Sequence, residues 1–133
     1  MKIKKKTALI ICIFLAVIIV VFGIGYLNKV NRYHKTVAGI TYSGIDISDI
    51  PDGVYIGECD VDFVYAKVEV TVKDKAITKI DLLEHKNGRG EAAEGLEQRI
   101  VEQQRIDVDS VSGATSSSKV IKKAVDNALN RIN

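Results

Sequence analysis

Residues 66–83, AKVEVTVKDKAITKIDLL, decide the fold class. Ala66, Val68, Val70 and Val72 alternate with Lys67, Glu69, Thr71 and Lys73, the period of a strand with one face buried and one in water. Lys73-Asp74-Lys75 is a short polar break, after which Thr78, Ile80 and Leu82 return in phase. Strands joined by so short a turn pair antiparallel. Upstream, Pro51-Asp52-Gly53 marks a turn. Val54-Tyr55-Ile56-Gly57 then opens a further strand, with Cys59 as a small packing residue. No helix-length stretch separates these strands, so an antiparallel meander is expected.

Downstream the pattern changes. Glu84 to Gly90 reads as a polar, glycine-punctuated loop. Ala93, Leu96 and Ile100 recur at helical spacing through about Gln104, and Ile106 to Val111 is a short extended piece. From about Ser116 to Ile132, Val120, Ile121, Ala124, Val125, Ala128, Leu129 and Ile132 make one apolar stripe opposite Lys119, Lys122, Lys123 and Asp126. Strands first and helices after give an α+β class: an antiparallel β meander with two helices.

The N-terminal part is a different object. Ala8 through Leu27, ALIICIFLAVIIVVFGIGYL, runs without a charge for about the 20 residues that a helix needs to cross a bilayer. Lys2, Lys4, Lys5 and Lys6 precede it; Lys29, Arg32 and Lys35 follow more loosely. The positive-inside rule favours a cytoplasmic N-terminus and an extracytoplasmic C-terminal domain. No Ala-x-Ala site closes the stretch as a signal peptide would require. The expected organisation is a basic segment 1–6, a transmembrane helix 7–27, a tether 28–51 and a domain 52–133.

Charge and cysteine content narrow the function classes. Seven of the 19 Lys and Arg, and none of the 17 Asp and Glu, fall in residues 1–35. The domain is therefore mildly acidic, which disfavours nucleic acid as a partner. Cys12 and Cys59 make no disulfide framework, and His34 and His85 form no metal constellation with the scattered acids. There is no Gly-x-Ser-x-Gly elbow, Walker pattern or strand-linked Gly-x-Gly-x-x-Gly. An enzyme with its own substrate chemistry is not expected.

The informative run is Asp109-Ser110-Val111-Ser112-Gly113-Ala114-Thr115-Ser116-Ser117-Ser118, leading into the last helix. The first N–H groups of a helix lack intrahelical partners and lie at the positive end of its dipole, where a phosphate is readily accepted. Gly113 and Ala114 keep the approach open, the Thr115 hydroxyl could carry a phosphoester, and Ser117 and Ser118 are further donors. Read from the residues alone, the run serves either as ordinary helix capping, the commoner use of such residues, or as a phosphate site.

Asp-x-Val-Ser-Gly-Ala-Thr-x-Ser-Ser before an amphipathic helix resembles the signature of the FMN-binding domain family. That domain occurs in the C subunit of Na⁺-translocating NADH:quinone reductase and in the G subunit of the Rnf complex. The likeness extends upstream. Asp52 to Gly57 resembles the family's opening strand, and Val68 to Ile77 resembles its valine-rich hairpin, with Lys75-Ala76 where glycine is common. Glu84-His85, the loop through Gly90, and Gln103 or Gln104 ahead of Val108-Asp109 also fit. The resemblance covers roughly 52–130.

It implies FMN as cofactor, joined through its phosphate to Thr115 by a flavin transferase that draws it from FAD and releases AMP, outside the cytoplasmic membrane. Ser112, Gly113, Ala114, Ser117 and Ser118 would cradle the phosphate. Asp109 would orient the loop or help position the transferase's metal. His85 and Gly90, with Lys86, Asn87 and Arg89, would lie on the loop that approaches the flavin ring, or simply be solvated loop residues. The expectation is a membrane-anchored electron carrier acting between an unidentified redox donor and acceptor. Its modest length favours a stand-alone carrier over a pump subunit. The alternatives are a module that binds FMN without a covalent bond and a flavin-free interaction domain at the membrane surface.

Overall fold

In this computed structural model, residues 4–86, 93 and 95–131 are described. The chain divides into two units, Met1–His34 and Lys35–Asn133. Helix α1 (Lys5–Ala38) makes up the first and runs into the second. Its stretch from Ala8 to Leu27 spans about 30 Å at the helical rise. Large apolar side chains point outward all around it, among them Leu9, Ile13, Phe14 and Phe22. A helix apolar on every face needs an apolar surrounding. This one is long and apolar enough to cross a membrane.

In the second unit, β1 (Gly53–Val61), β2 (Val64–Lys73) and β3 (Ala76–Lys86) form an antiparallel sheet in the order β1-β2-β3. This is the expected meander. The alternation read from the sequence is the burial pattern: Val64, Ala66, Val68, Val70 and Val72 are buried while Tyr65, Lys67, Glu69 and Thr71 face outward. The β2–β3 turn is Asp74-Lys75, both at positive φ (53° and 63°). Two consecutive left-handed residues define the type I′ turn, whose twist matches that of the strands it joins.

Several expectations need correction. β3 does not alternate evenly. The two-residue turn pairs Ile77 with buried Val72, so Ile77 rather than Thr78 is buried, and the shift between Thr71 and Val72 then brings Ile80 inward as the next buried residue. A bulge adds a residue and resets which side chains face inward. Glu84, His85 and Lys86 are strand, paired with Lys67, Ala66 and Tyr65, and not loop. Residues 106–111 are irregular backbone without strand pairing.

Helix α2 (Leu96–Gln103) packs against β3 with Leu96 and Ile100 buried. It stops where Gln104 turns left-handed (φ 50°, ψ 40°). The Gln104 side chain then reaches to β3: its Oε1 accepts from the Ile77 N–H (2.9 Å), and its Nε2 donates to the carbonyls of Ile77 and Val101 (2.7 Å each). It takes the place of a fourth strand at that point of the edge.

Helix α3 (Thr115–Asn130) lies across β1 and β2. Side chains of α3 and of Arg131 just after it also close the edge of β1, Asn127 Nδ2 donating to the Glu58 carbonyl (2.9 Å) and Arg131 to that of Ile56 (3.4 Å). Unpaired edge groups invite pairing with other chains, and this cover removes two of them.

The polar side of α3 is the largest departure from the sequence reading. Lys122 and Asp126 are buried, not solvated. Residues 39–50, within the segment expected to be a tether, lie over that side. The Ser43 N–H and hydroxyl both donate to Asp126 Oδ1, and Lys123 donates to the Thr41 carbonyl (2.9 Å). A 3-10 turn, Ile47–Asp49, is capped by Asp46 accepting from Ser48. It buries Ile47, and Ile50 after it is buried too. Each such burial is worth about 1.5–3 kcal/mol. Thus α3 is a central helix with the sheet on one side and irregular chain on the other.

Candidate functional site

The site begins with the turn that starts α3. Ala114 N–H donates to the Val111 carbonyl (3.0 Å), and Gly113 between them has φ 80°. That left-handed conformation suits glycine, and a Cβ added there would meet nothing within 4 Å. The space over Gly113 is open. Ala114 is the N-cap residue, with no side-chain hydrogen bond capping the helix and no acid in the first turn. The capping role that Ser and Thr residues usually fill is therefore not performed here. The first backbone N–H groups of α3, at the positive end of its dipole, are the donor set a phosphate needs.

Thr115 is the first residue of α3. Of the helix's 16 residues it alone is exposed; the rest are buried or half-buried. Its hydroxyl sits on an otherwise covered helix, beside the open backbone of Ser112 and Gly113, both exposed.

The other residues singled out from the sequence divide. Ala114 is buried. Ser118 is fully buried and committed within the loop: its hydroxyl accepts from Val111 N–H (3.0 Å) and donates to the Ala114 carbonyl (2.8 Å). Ser117 is buried as well. The Ser118 hydroxyl is part of the scaffold beneath the turn. Asp109 is exposed, in the irregular segment before the turn. His85 is half-buried near the end of β3, on the helix-covered side by its pairing with Ala66. Gly90, Asn87 and Arg89 lie outside the described residues.

One participant was missed from the sequence. Lys122 Nζ donates to the Val108 carbonyl (2.8 Å), lies 3.6 Å from an Asp107 carboxylate oxygen, and sits 5.1 Å from the centre of the Tyr42 ring. Its position in the run of lysines Lys119, Lys122 and Lys123 suggested a solvated face. The available signal was its spacing, four residues after Ser118, which puts both on one side of the helix.

Hollows elsewhere on the unit have the wrong character for a phosphate. One of about 410 Å³ at the β1–β2 turn is lined by Asp60, Asp62 and Glu84, with Lys86 as the one cation among the described residues. A smaller one of about 220 Å³ lies under residues 104–107, between Arg105 and Asp107 and the apolar side chains of Ile45 and Ile47. The turn at 112–115, by contrast, joins open backbone donors to an accessible hydroxyl. Among the described residues no group of His, Cys, Asp and Glu could hold a metal ion.

The residues present thus fit a phosphate-bearing cofactor. Residues 65–130 match the model of the FMN-binding domain. From the second residue of β2 to the last of α3, this stretch contains the turn, Thr115 and the helix that carries them, so the chain belongs to the FMN-binding domain family, with FMN as its cofactor.

Proposed function

We propose that this chain is a membrane-anchored, extracytoplasmic electron carrier whose FMN is joined through its phosphate to Thr115. The observation that carries the reading is the exposure of Thr115 alone on α3, beside a helix start that no side chain caps. In the attachment step, Thr115 Oγ attacks the flavin-side phosphorus of FAD. The new Oγ–P bond replaces the pyrophosphate P–O bond, AMP leaves with that electron pair, and the hydroxyl proton passes to a base. No oxidation state changes. A separate flavin transferase performs the step, with Asp109 exposed beside the loop to orient it or to help place the transferase's metal.

Bound FMN supplies one- and two-electron transfer. This chain's residues hold it at the phosphate end, on the first turn of α3. The reading is an electron relay between a separate donor and acceptor. Lys2, Lys4, Lys5 and Lys6, ahead of the uncharged stretch from Ala8, support the outward placement of the domain.

The test is to produce the full chain together with a flavin transferase, denature it and look for flavin fluorescence on the gel band. A fluorescent band that is absent in Thr115→Ala is expected. A dark wild-type band, with the transferase active on a control substrate, overturns covalent attachment. Flavin absorbance in the native protein, released on denaturation, would then identify non-covalent binding.

A further inference from the structure

Ser118, Lys122 and Asp126 stand at successive turns of α3, and all three are buried (0%, 4% and 0% exposed). Each bonds irregular chain laid against the helix. Ser118 holds Val111 and Ala114, Lys122 holds Val108, and Asp126 holds Ser43. A buried ammonium is tolerated only where its donors are satisfied. Here a backbone carbonyl, a carboxylate and an aromatic face surround it.

The segment 106–114 has no strand pairing of its own. Its fixed points are the buried side chains of Ile106 and Val108, the tight bond from Val108 N–H to the Ile106 carbonyl (2.8 Å), and the grips of Ser118 and Lys122. Lys122 therefore fixes the beginning of the segment and Ser118 its end. Thr115 follows directly.

We propose that Lys122 is a positioning residue for flavin attachment: it holds the approach to the 112–115 turn so that the Thr115 hydroxyl is presented in one place. This rests on the reading of Thr115 as the attachment point. Misplacement of a nucleophile by even an ångström lowers the rate of the step rather than the affinity for the partner. Lys122→Met keeps the buried apolar stem and removes the ammonium. Asp126→Asn loosens the same helix face where it meets residues 41–43, away from the turn, and serves as the stability control.

The experiment measures transferase kinetics with FAD and the full-length chain as acceptor, together with amide hydrogen exchange of the unlabelled protein. Lys122→Met is expected to lower kcat for flavin transfer at least tenfold with KM within about twofold. Exchange at Val111 and Ala114 should quicken at least tenfold, while amides of β2 keep their protection. Asp126→Asn is expected to keep kcat within about twofold. Should Lys122→Met fail to fold, Lys122→Gln, which retains a shorter donor, takes its place with an intermediate loss expected. Wild-type kcat in the Lys122 variant, or an equal loss in Asp126→Asn, overturns the proposal. An unlabelled wild type would instead overturn the reading of Thr115, so the two failures are distinguishable.

Discussion

Gly57 of β1 lies directly beneath Ala124 of α3: a Cβ built on Gly57 would fall 2.1 Å from the Ala124 carbonyl oxygen and 2.3 Å from the Ala128 nitrogen. Both are helix backbone, which cannot swing aside as a side-chain tip can. The distance between helix and sheet is set at this one contact, and the start of α3 is carried on the same rigid rod.

Gly57→Ala is accordingly expected to lift α3 from β1 and destabilise the domain by about 3 kcal/mol, at the upper end of the usual cost of overpacking. Urea unfolding of the full chain in detergent checks this. A loss under 1 kcal/mol would show that the helix shifts freely and that the contact does not set the spacing.

Asp126 makes stability depend on acid. Burial alone would raise its pKa. The hydrogen bonds from the Lys123 ammonium and from the Ser43 hydroxyl and N–H outweigh that and hold it below the ordinary carboxylate range. A carboxyl whose folded pKa is depressed stabilises the fold above its unfolded pKa, about 4, and that contribution is lost as pH falls through the folded value. Asp126→Asn should cost about 1–3 kcal/mol at pH 7, and the gap from wild type should narrow below about pH 4. A gap that stays constant to pH 2 would contradict this.

The Gln104 side chain bonds both backbone groups of Ile77, and a shorter or charged replacement cannot. Gln104→Glu places a carboxylate oxygen against the carbonyls of Ile77 and Val101. It is expected to destabilise by about 1–2 kcal/mol, more than Gln104→Ala, because an acceptor held against two carbonyl acceptors is worse than a gap. Denaturation midpoints of the two variants decide the order.

Tyr42 predicts an alkaline limit. Its hydroxyl is buried with no hydrogen-bond partner among the described residues. Burial, and then the negative charges of Asp107, Asp126 and Cys59, push its pKa up from 10.0 to about 12. A folded pKa above the unfolded one means full stability below pH 10 and progressive loss as pH rises towards 12. Tyr42→Phe should be neutral or slightly stabilising at pH 7 and should flatten the fall in stability between these values. Identical alkaline melting of the two proteins would refute the assignment.

The sequence by itself determined the meander, the apolar helix and the turn before α3. Strand alternation at 66–72, an uncharged run from Ala8 to Leu27 and the order Ser112-Gly113-Ala114-Thr115 are local patterns, and local patterns follow from backbone periodicity and conformational preference alone. What the fold decided is which polar groups meet. Nothing near Thr78 announces the bulge that lets Ile80 face inward as well as Ile77. Nothing near Lys122 or Asp126 tells that chain from residues 41–43 and 106–108 will cover them, because a charge on a helix looks solvated until a distant segment packs on it. The same holds at the site. Ser112, Thr115, Ser117 and Ser118 are equivalent hydroxyls on paper, and only burial separates Thr115, open to solvent, from Ser117 and Ser118, enclosed beneath the turn.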